Sequence, residues 1–184
     1  MNDTLNLALV YGSAREGRFC DTVSAWARSE IEADGRFSLD IIDPAALPPT
    51  RDGAGLLKAH VANADAFIVV TPEYNHGYPA DLKALIDRAY AEWNAKPVAF
   101  VSYGGASGGL RAVEQLRQVF AELHAVTIRD SVMFPNAWKQ FGEDGRLLAP
   151  EGPQAAMRAT LARLWWWADA LRAARWNRPY NEAA

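Results

Sequence analysis

Short apolar runs alternate with helix-patterned segments along most of this chain, and that alternation restricts the fold more than any other feature. Leu5–Tyr11, Ser38–Ile42, Ala66–Val70, Pro97–Val101 and Ala125–Ile128 each read as a strand. The third run is apolar throughout, as a strand covered on both faces must be. Helical stretches lie between: about Phe19–Ala33, with Val23, Trp26, Ala27 and Ile31 on one stripe, and a weak one over Gly55–Ala64. Others span Pro79 to about Trp93, Leu110–Leu123, and roughly Pro153–Arg175. Pro44–Pro49 and Phe134–Gly152 read as loop or turn. One helix after each strand predicts a parallel sheet with helices on both faces.

Right-handed crossovers leave few topologies for such a sheet. Five strands fit a flavodoxin-like three-layer sandwich in the order 2-1-3-4-5, one α/β domain over residues 1–184. Ligands of open parallel sheets bind beyond the carboxyl ends of the strands. Three loops leave those ends with unusual chemistry: Gly12-Ser13-Ala14-Arg15-Glu16-Gly17-Arg18, Thr71-Pro72-Glu73-Tyr74-Asn75-His76-Gly77-Tyr78-Pro79 and Ser102-Tyr103-Gly104-Gly105-Ala106-Ser107-Gly108-Gly109. The first feeds a helix N-terminus, which favours anions, and offers Ser13, Arg15 and Arg18 as donors to a phosphate. Tyr74 can cover a flat ring, and Asn75 with the loop amides can bond a heterocycle edge. The glycines of the third loop permit close backbone approach. Taken singly, each loop also reads as an ordinary turn.

Several chemistries drop out. Arg18 and Phe19 stand where a P-loop needs Lys and Ser/Thr, and Ala14 breaks the dinucleotide pattern GxGxxG. The single cysteine, Cys20, excludes an internal disulfide or a CxxC pair. His60, His76 and His124 show no metal-ligand spacing and no triad. A net charge of −3 without a basic stretch argues against nucleic acid. No run approaches about 18 apolar residues, so no membrane span is expected. Met1-Asn2-Asp3-Thr4 does not resemble a signal peptide, so a cytoplasmic location is expected.

The three motifs together resemble the NADPH-dependent FMN reductase family, flavodoxin-like oxidoreductases that include azo, quinone and chromate reductases. They are Gly12-Ser13-x-Arg15-x-x-Arg18-Phe19, Thr71-Pro72-Glu73-Tyr74-Asn75-x-x-x-Pro79-x-x-Leu82-Lys83 and Ser102-Tyr103-Gly104-Gly105-x-Ser107-Gly108-Gly109-x-Arg111. The likeness covers about residues 5 to 138. It implies that Ser13, Arg15, Arg18 and the amides near Phe19 hold the FMN phosphate. It places Pro72, Glu73, Tyr74 and Asn75 along the isoalloxazine, and Ser102, Tyr103, Gly104, Gly105 and Ser107 at its pyrimidine end. Cys20 departs from the family pattern, as does Leu85-Ile86-Asp87-Arg88.

The resemblance implies an enzyme that passes electrons from NADPH or NADH through bound FMN to a small acceptor: a flavin, quinone, azo compound or metal oxyanion. No side chain need act as nucleophile or base, because the flavin supplies the chemistry. The alternative is a flavodoxin-type electron carrier docking to a protein, which the small acidic excess disfavours. A flavin-free interaction protein on the same fold is a third reading. Trp165, Trp166 and Trp167 point about 100° apart on one helix, so a single core cannot bury all three. Either two are partly exposed or a partner covers them, as in a homodimer or homotetramer.

Overall fold

The computed structural model describes residues 4–48 and 50–182; residues 1–3, Pro49 at the end of the expected proline-rich loop, and 183–184 lie outside it. The elements are β1 (Leu5–Tyr11), α1 (Cys20–Asp34), β2 (Phe37–Ile42), α2 (Arg51–Asn63), β3 (Ala66–Pro72), α3 (Ala80–Ile86), β4 (Pro97–Gly104), α4 (Leu110–Glu122), β5 (Val126–Pro135) and α5 (Glu151–Asn177). The strands form one parallel sheet in the order β2-β1-β3-β4-β5.

Strand alternation splits the core into two faces. Leu5, Leu7 and Leu9 of β1 pack with Val23 and Ile31 of α1 and with Met157, Leu161 and Leu164 of α5. Ala8 and Val10 turn the other way, toward Leu57 and Val61 of α2, Leu82 of α3 and Leu116 of α4. All seven residues of β3 are buried, which its apolar run foretold. Among the described residues, no helix is long and apolar enough to cross a membrane.

Three expectations need correction. α2 starts at Arg51 and not at Gly55, because Thr50 caps it: its Oγ1 accepts from the Gly53 amide at 3.4 Å. The helix expected from Pro79 to Trp93 is broken. α3 stops at Ile86, whose carbonyl accepts from Trp93 Nε1 at 3.2 Å, and Ala91–Trp93 forms a separate 3-10 turn. β5 continues far past Ile128. A register shift between Val98 and Phe100 absorbs Arg129 and Asp130, and Ser131 to Pro135 then pair with Phe100 to Gly104. Phe134, expected in a loop, is fully buried.

Register aligns the strand ends. Tyr11 pairs with Val70, Pro72 with Tyr103, and Gly104 with Pro135. The three loops therefore leave the sheet along one edge.

Candidate functional site

The first loop begins with a close approach between β1 and β3. The Gly12 amide donates to the Val70 carbonyl at 2.7 Å, and a Cβ on Gly12 would lie 2.4 Å from that oxygen. Only glycine lets the chain leave the sheet there. Ser13 is wholly buried; its Oγ lies 3.2 Å from Tyr74 Oη and accepts from the Arg15 amide at 3.3 Å. α1 has no side-chain cap, and its N-terminus opens from the loop that carries Ser13; the Asp21 amide donates to the Arg18 carbonyl at 3.4 Å.

The two arginines of this loop do different things. Arg15 is exposed, with its Cζ 5.0 Å from the centre of the Tyr74 ring. Arg18 is spent on its neighbours: Nε donates to Asp21 at 2.8 Å, and the two terminal nitrogens grip Asp43 at 2.7 and 2.6 Å. It also donates to the Ser13 carbonyl, and only 8% of its side chain is exposed. Burial pushes the Asp43 carboxyl up, but the bonds from Arg18 and the Ala45 amide outweigh this and hold it below the usual range. Arg18 braces the loop, and Arg15 is its cation turned toward solvent.

The second loop is a tight hairpin. Tyr74 and Gly77 exchange backbone bonds at 2.9 and 3.0 Å, while Asn75 (φ 50°) and His76 (φ 70°) are both left-handed. Asn75 is thereby carried to the exposed tip. Glu73 ties the second loop to the third. Its amide donates to the Tyr103 carbonyl at 3.0 Å, and its carboxylate accepts from the Arg111 side chain at 2.7 Å and the Arg111 amide at 3.1 Å. It thus caps α4, whose own capping position, Gly109, has no side chain to offer. Burial pushes Glu73 up, but Arg111 and Ser107 outweigh it and hold the carboxylate low.

In the third loop, the Ser102 hydroxyl donates to the Gly108 carbonyl at 2.9 Å and fixes the bend. Gly109 is left-handed (φ 92°), and a Cβ there would fall 2.6 Å from Ser102 Cβ.

These loops enclose a cleft of about 440 Å³, lined by Phe19, Pro72, Glu73, Tyr74, Tyr103, Gly104, Gly105 and Trp138. Seven of the eight are site residues expected from the sequence. Ser13, Arg15, Arg18, Asn75, Ser102 and Ser107 are not in the lining; Ser13, Arg18, Ser102 and Ser107 bond within or between the loops behind it, and Arg15 and Asn75 are exposed. Trp138 was missed, because it lies in a stretch that reads as turns and only the extended β5 brings it to this edge. Cys20 opens α1 but is buried, and burial pushes its thiol pKa up. It is no nucleophile in this environment.

The sequence profile of the NADPH-dependent FMN reductase family matches residues 5–139. The chain belongs to this family. It is 35% identical over 132 residues to an NAD(P)H-dependent FMN reductase of Schizosaccharomyces pombe, a match spanning 63% of this chain and 66% of that protein. It is 32% identical over 165 residues to a probable NADPH:quinone oxidoreductase of Oryza sativa, covering 80% and 81%. Among solved structures it resembles the flavoenzyme NAD(P)H:(acceptor) oxidoreductase FerB of Paracoccus denitrificans. The TM-score is 0.72 at 20% identity, over 91% of this chain and 98% of that one, a likeness of fold.

The residues present fit the FMN for which this family is named. A Cβ on Gly105 would meet nothing within 4 Å, so the missing side chain leaves room in the cleft wall. The rings of Phe19, Tyr74 and Tyr103 offer flat faces along the same cleft, while the buried Tyr103 Oη lies by Cys20. Phe19 at the start of α1 is part of the lining, and the Arg15 guanidinium lies 5.0 Å from the Tyr74 ring.

Proposed function

We propose that this protein is an FMN-dependent NAD(P)H oxidoreductase that reduces a small acceptor. The observation that carries the reading is one cleft walled by Phe19, Tyr74, Tyr103 and Trp138, with Phe19 also opening the uncapped N-terminus of α1, where an anion is favoured. The cleft would hold FMN, which would supply the redox chemistry linking NADPH or NADH to a flavin, quinone, azo compound or metal oxyanion.

The chain's own residues bind and orient. The α1 amides, Ser13 and Arg15 hold the phosphate, and Arg18 keeps the loop in shape through Asp43. Tyr74 and Pro72 bear on the ring. The Gly104 and Gly105 amides meet its polar edge, where fixed N–H groups stabilise negative charge. The Glu73–Arg111 pair holds the two ring loops at a constant separation.

Self-association and a cytoplasmic location belong to the same reading. Trp165 packs against the core, whereas Trp166 is 60% and Trp167 37% exposed, so α5 offers aromatic surface to a second copy.

The test is a visible spectrum of the purified protein before and after anaerobic NADPH. Bleaching of a bound flavin is the expected result. A colourless protein that cannot be loaded with FMN refutes the reading.

A further inference from the structure

We propose that the groove at the amino ends of β4 and β5, remote from the flavin cleft, is a second ligand site, and that it takes an aromatic carboxylate. The inference stands apart from the FMN reading.

Two recesses of about 440 and 300 Å³ adjoin here and share Arg175 and Tyr180. Lys96 and Ala95, just before β4, form part of the walls, with Val126 at the start of β5. Gly104, at the other end of β4, lines the flavin cleft. At about 3.3 Å per residue, the steps from Lys96 to Gly104 separate the two sites by about 26 Å.

The charges of the groove call for an anion. Lys96 is only 6% exposed, and its Nζ donates to the carbonyls of Val61 at 2.7 Å and Ala62 at 2.8 Å, near the end of α2. An ammonium has three donors, so one remains, and among the described residues no carboxylate bonds this lysine. Burial pushes its pKa down to about 8 and Arg175 pushes the same way, while Asp65 and Glu92 offset only part of this. Asp65 is already shared by Arg175 at 3.2 Å and Arg172 at 3.9 Å. Among the described residues, Arg178 on the same groove has no acidic partner. Glu92 is the one acid in the lining, and it faces Lys58 at 3.6 Å and accepts from the Tyr90 amide at 2.9 Å. A single negative charge would meet Lys96, Arg175 and Arg178 together. Glu92 opposes a second one, which favours a carboxylate over a phosphate dianion.

The rest of the groove suits a flat apolar body. Ala95, Val126, Leu171 and Ala174 wall the smaller recess, which has no acid in its lining. Tyr180 stands between the recesses, 40% exposed yet held in place. Its Oη lies 2.9 Å from His124 Nδ1, and the two rings meet edge-on at 5.6 Å. His124 is left-handed (φ 56°), and its carbonyl accepts from the Ala95 amide at 2.9 Å. A concave apolar wall with a few convergent polar groups is the usual form of a small-molecule site.

The test titrates 2-naphthoate into FMN-saturated protein by calorimetry, with 2-naphthalenemethanol as the neutral control. Naphthoate should bind with a Kd below about 1 mM, and the alcohol at least about ten-fold more weakly. R178A and Y180A change exposed positions and should each weaken naphthoate about five- to ten-fold, whereas R178K stays within about three-fold. FMN uptake, read by flavin fluorescence, is the same in all of them. No naphthoate binding, equal binding of the alcohol, or equal affinity in R178A, Y180A and the parent overturns the proposal and leaves the flavin reading standing. A parent that takes up no FMN refutes the flavin reading alone, because the same titration and variants then read this groove without flavin.

Discussion

Gly105 and Gly109 lie four residues apart in one loop, yet substituting them should have opposite consequences. Gly109 has φ 92°, and an added Cβ would fall 2.6 Å from Ser102 Cβ and 2.9 Å from the Tyr103 amide nitrogen. Left-handed backbone costs an L-residue about 1–2 kcal/mol. Overpacking against a strand that cannot retreat adds about 1–3 kcal/mol. Gly109→Ala should therefore destabilise by about 2–5 kcal/mol, a large part of the ~5–15 kcal/mol that holds a domain together. With a urea slope of about 2 kcal/mol/M, the midpoint should drop by about 1–2.5 M. Gly105→Ala meets nothing within 4 Å and should stay within about 0.5 kcal/mol of the parent. Gly105→Leu should also fold, but its side chain enters the cleft and should weaken FMN binding at least about ten-fold. Urea melts of the apoproteins and flavin-fluorescence titrations read both effects. The reasoning fails if Gly105→Ala destabilises as much as Gly109→Ala, or if Gly105→Leu binds FMN as tightly as the parent.

Asp43→Asn should cost about 1–3 kcal/mol at neutral pH by stranding Arg18. Because the folded carboxyl is held low, its contribution is present above its ordinary pKa of about 3.9 and disappears as pH falls through the lower folded value. The variant should accordingly show a flatter acid limb in thermal melts; equal acid sensitivity contradicts the ion pair. Cys20 should resist a disulfide-exchange reagent in the native protein and react fully in denaturant, and rapid native labelling would show that the thiol is accessible. Trp166→Glu should shift sedimentation toward monomer without changing the spectrum of bound flavin, whereas a parent that sediments as monomer excludes association through α5.

The central strands and their order were legible because β3 and β4 are buried throughout and carry uninterrupted apolar runs. The second half of β5 was not. Arg129, Asp130 and Ser131 occupy a shifted register at the sheet edge, where polar residues are tolerated, so the pairing of Phe134 left no alternating signal. α3 was overextended because Ala89 and Trp93 prolong the apolar spacing, although Trp93 is buried from a separate turn. At the site, local motifs identified most of the cleft lining. They could not reveal that Arg18 belongs to Asp43, 25 residues on and brought close only by pairing of β1 with β2. Nor could they place Trp138, whose position depends on the unrecognised length of β5.

The order of synthesis gives α5 a further importance. Met157, Leu161, Leu164 and Ala168 cover a face of the sheet that includes Leu7, Leu9, Val101 and Val132. The residues matched to the family end at 139, before any of these four. On a translating ribosome, all three loops and the whole sheet are made while the part of that face not covered by α1 is still bare. The segment bearing the chemistry cannot complete its own core, and the nascent chain carries an open apolar surface, prone to aggregation, until the last helix closes over it.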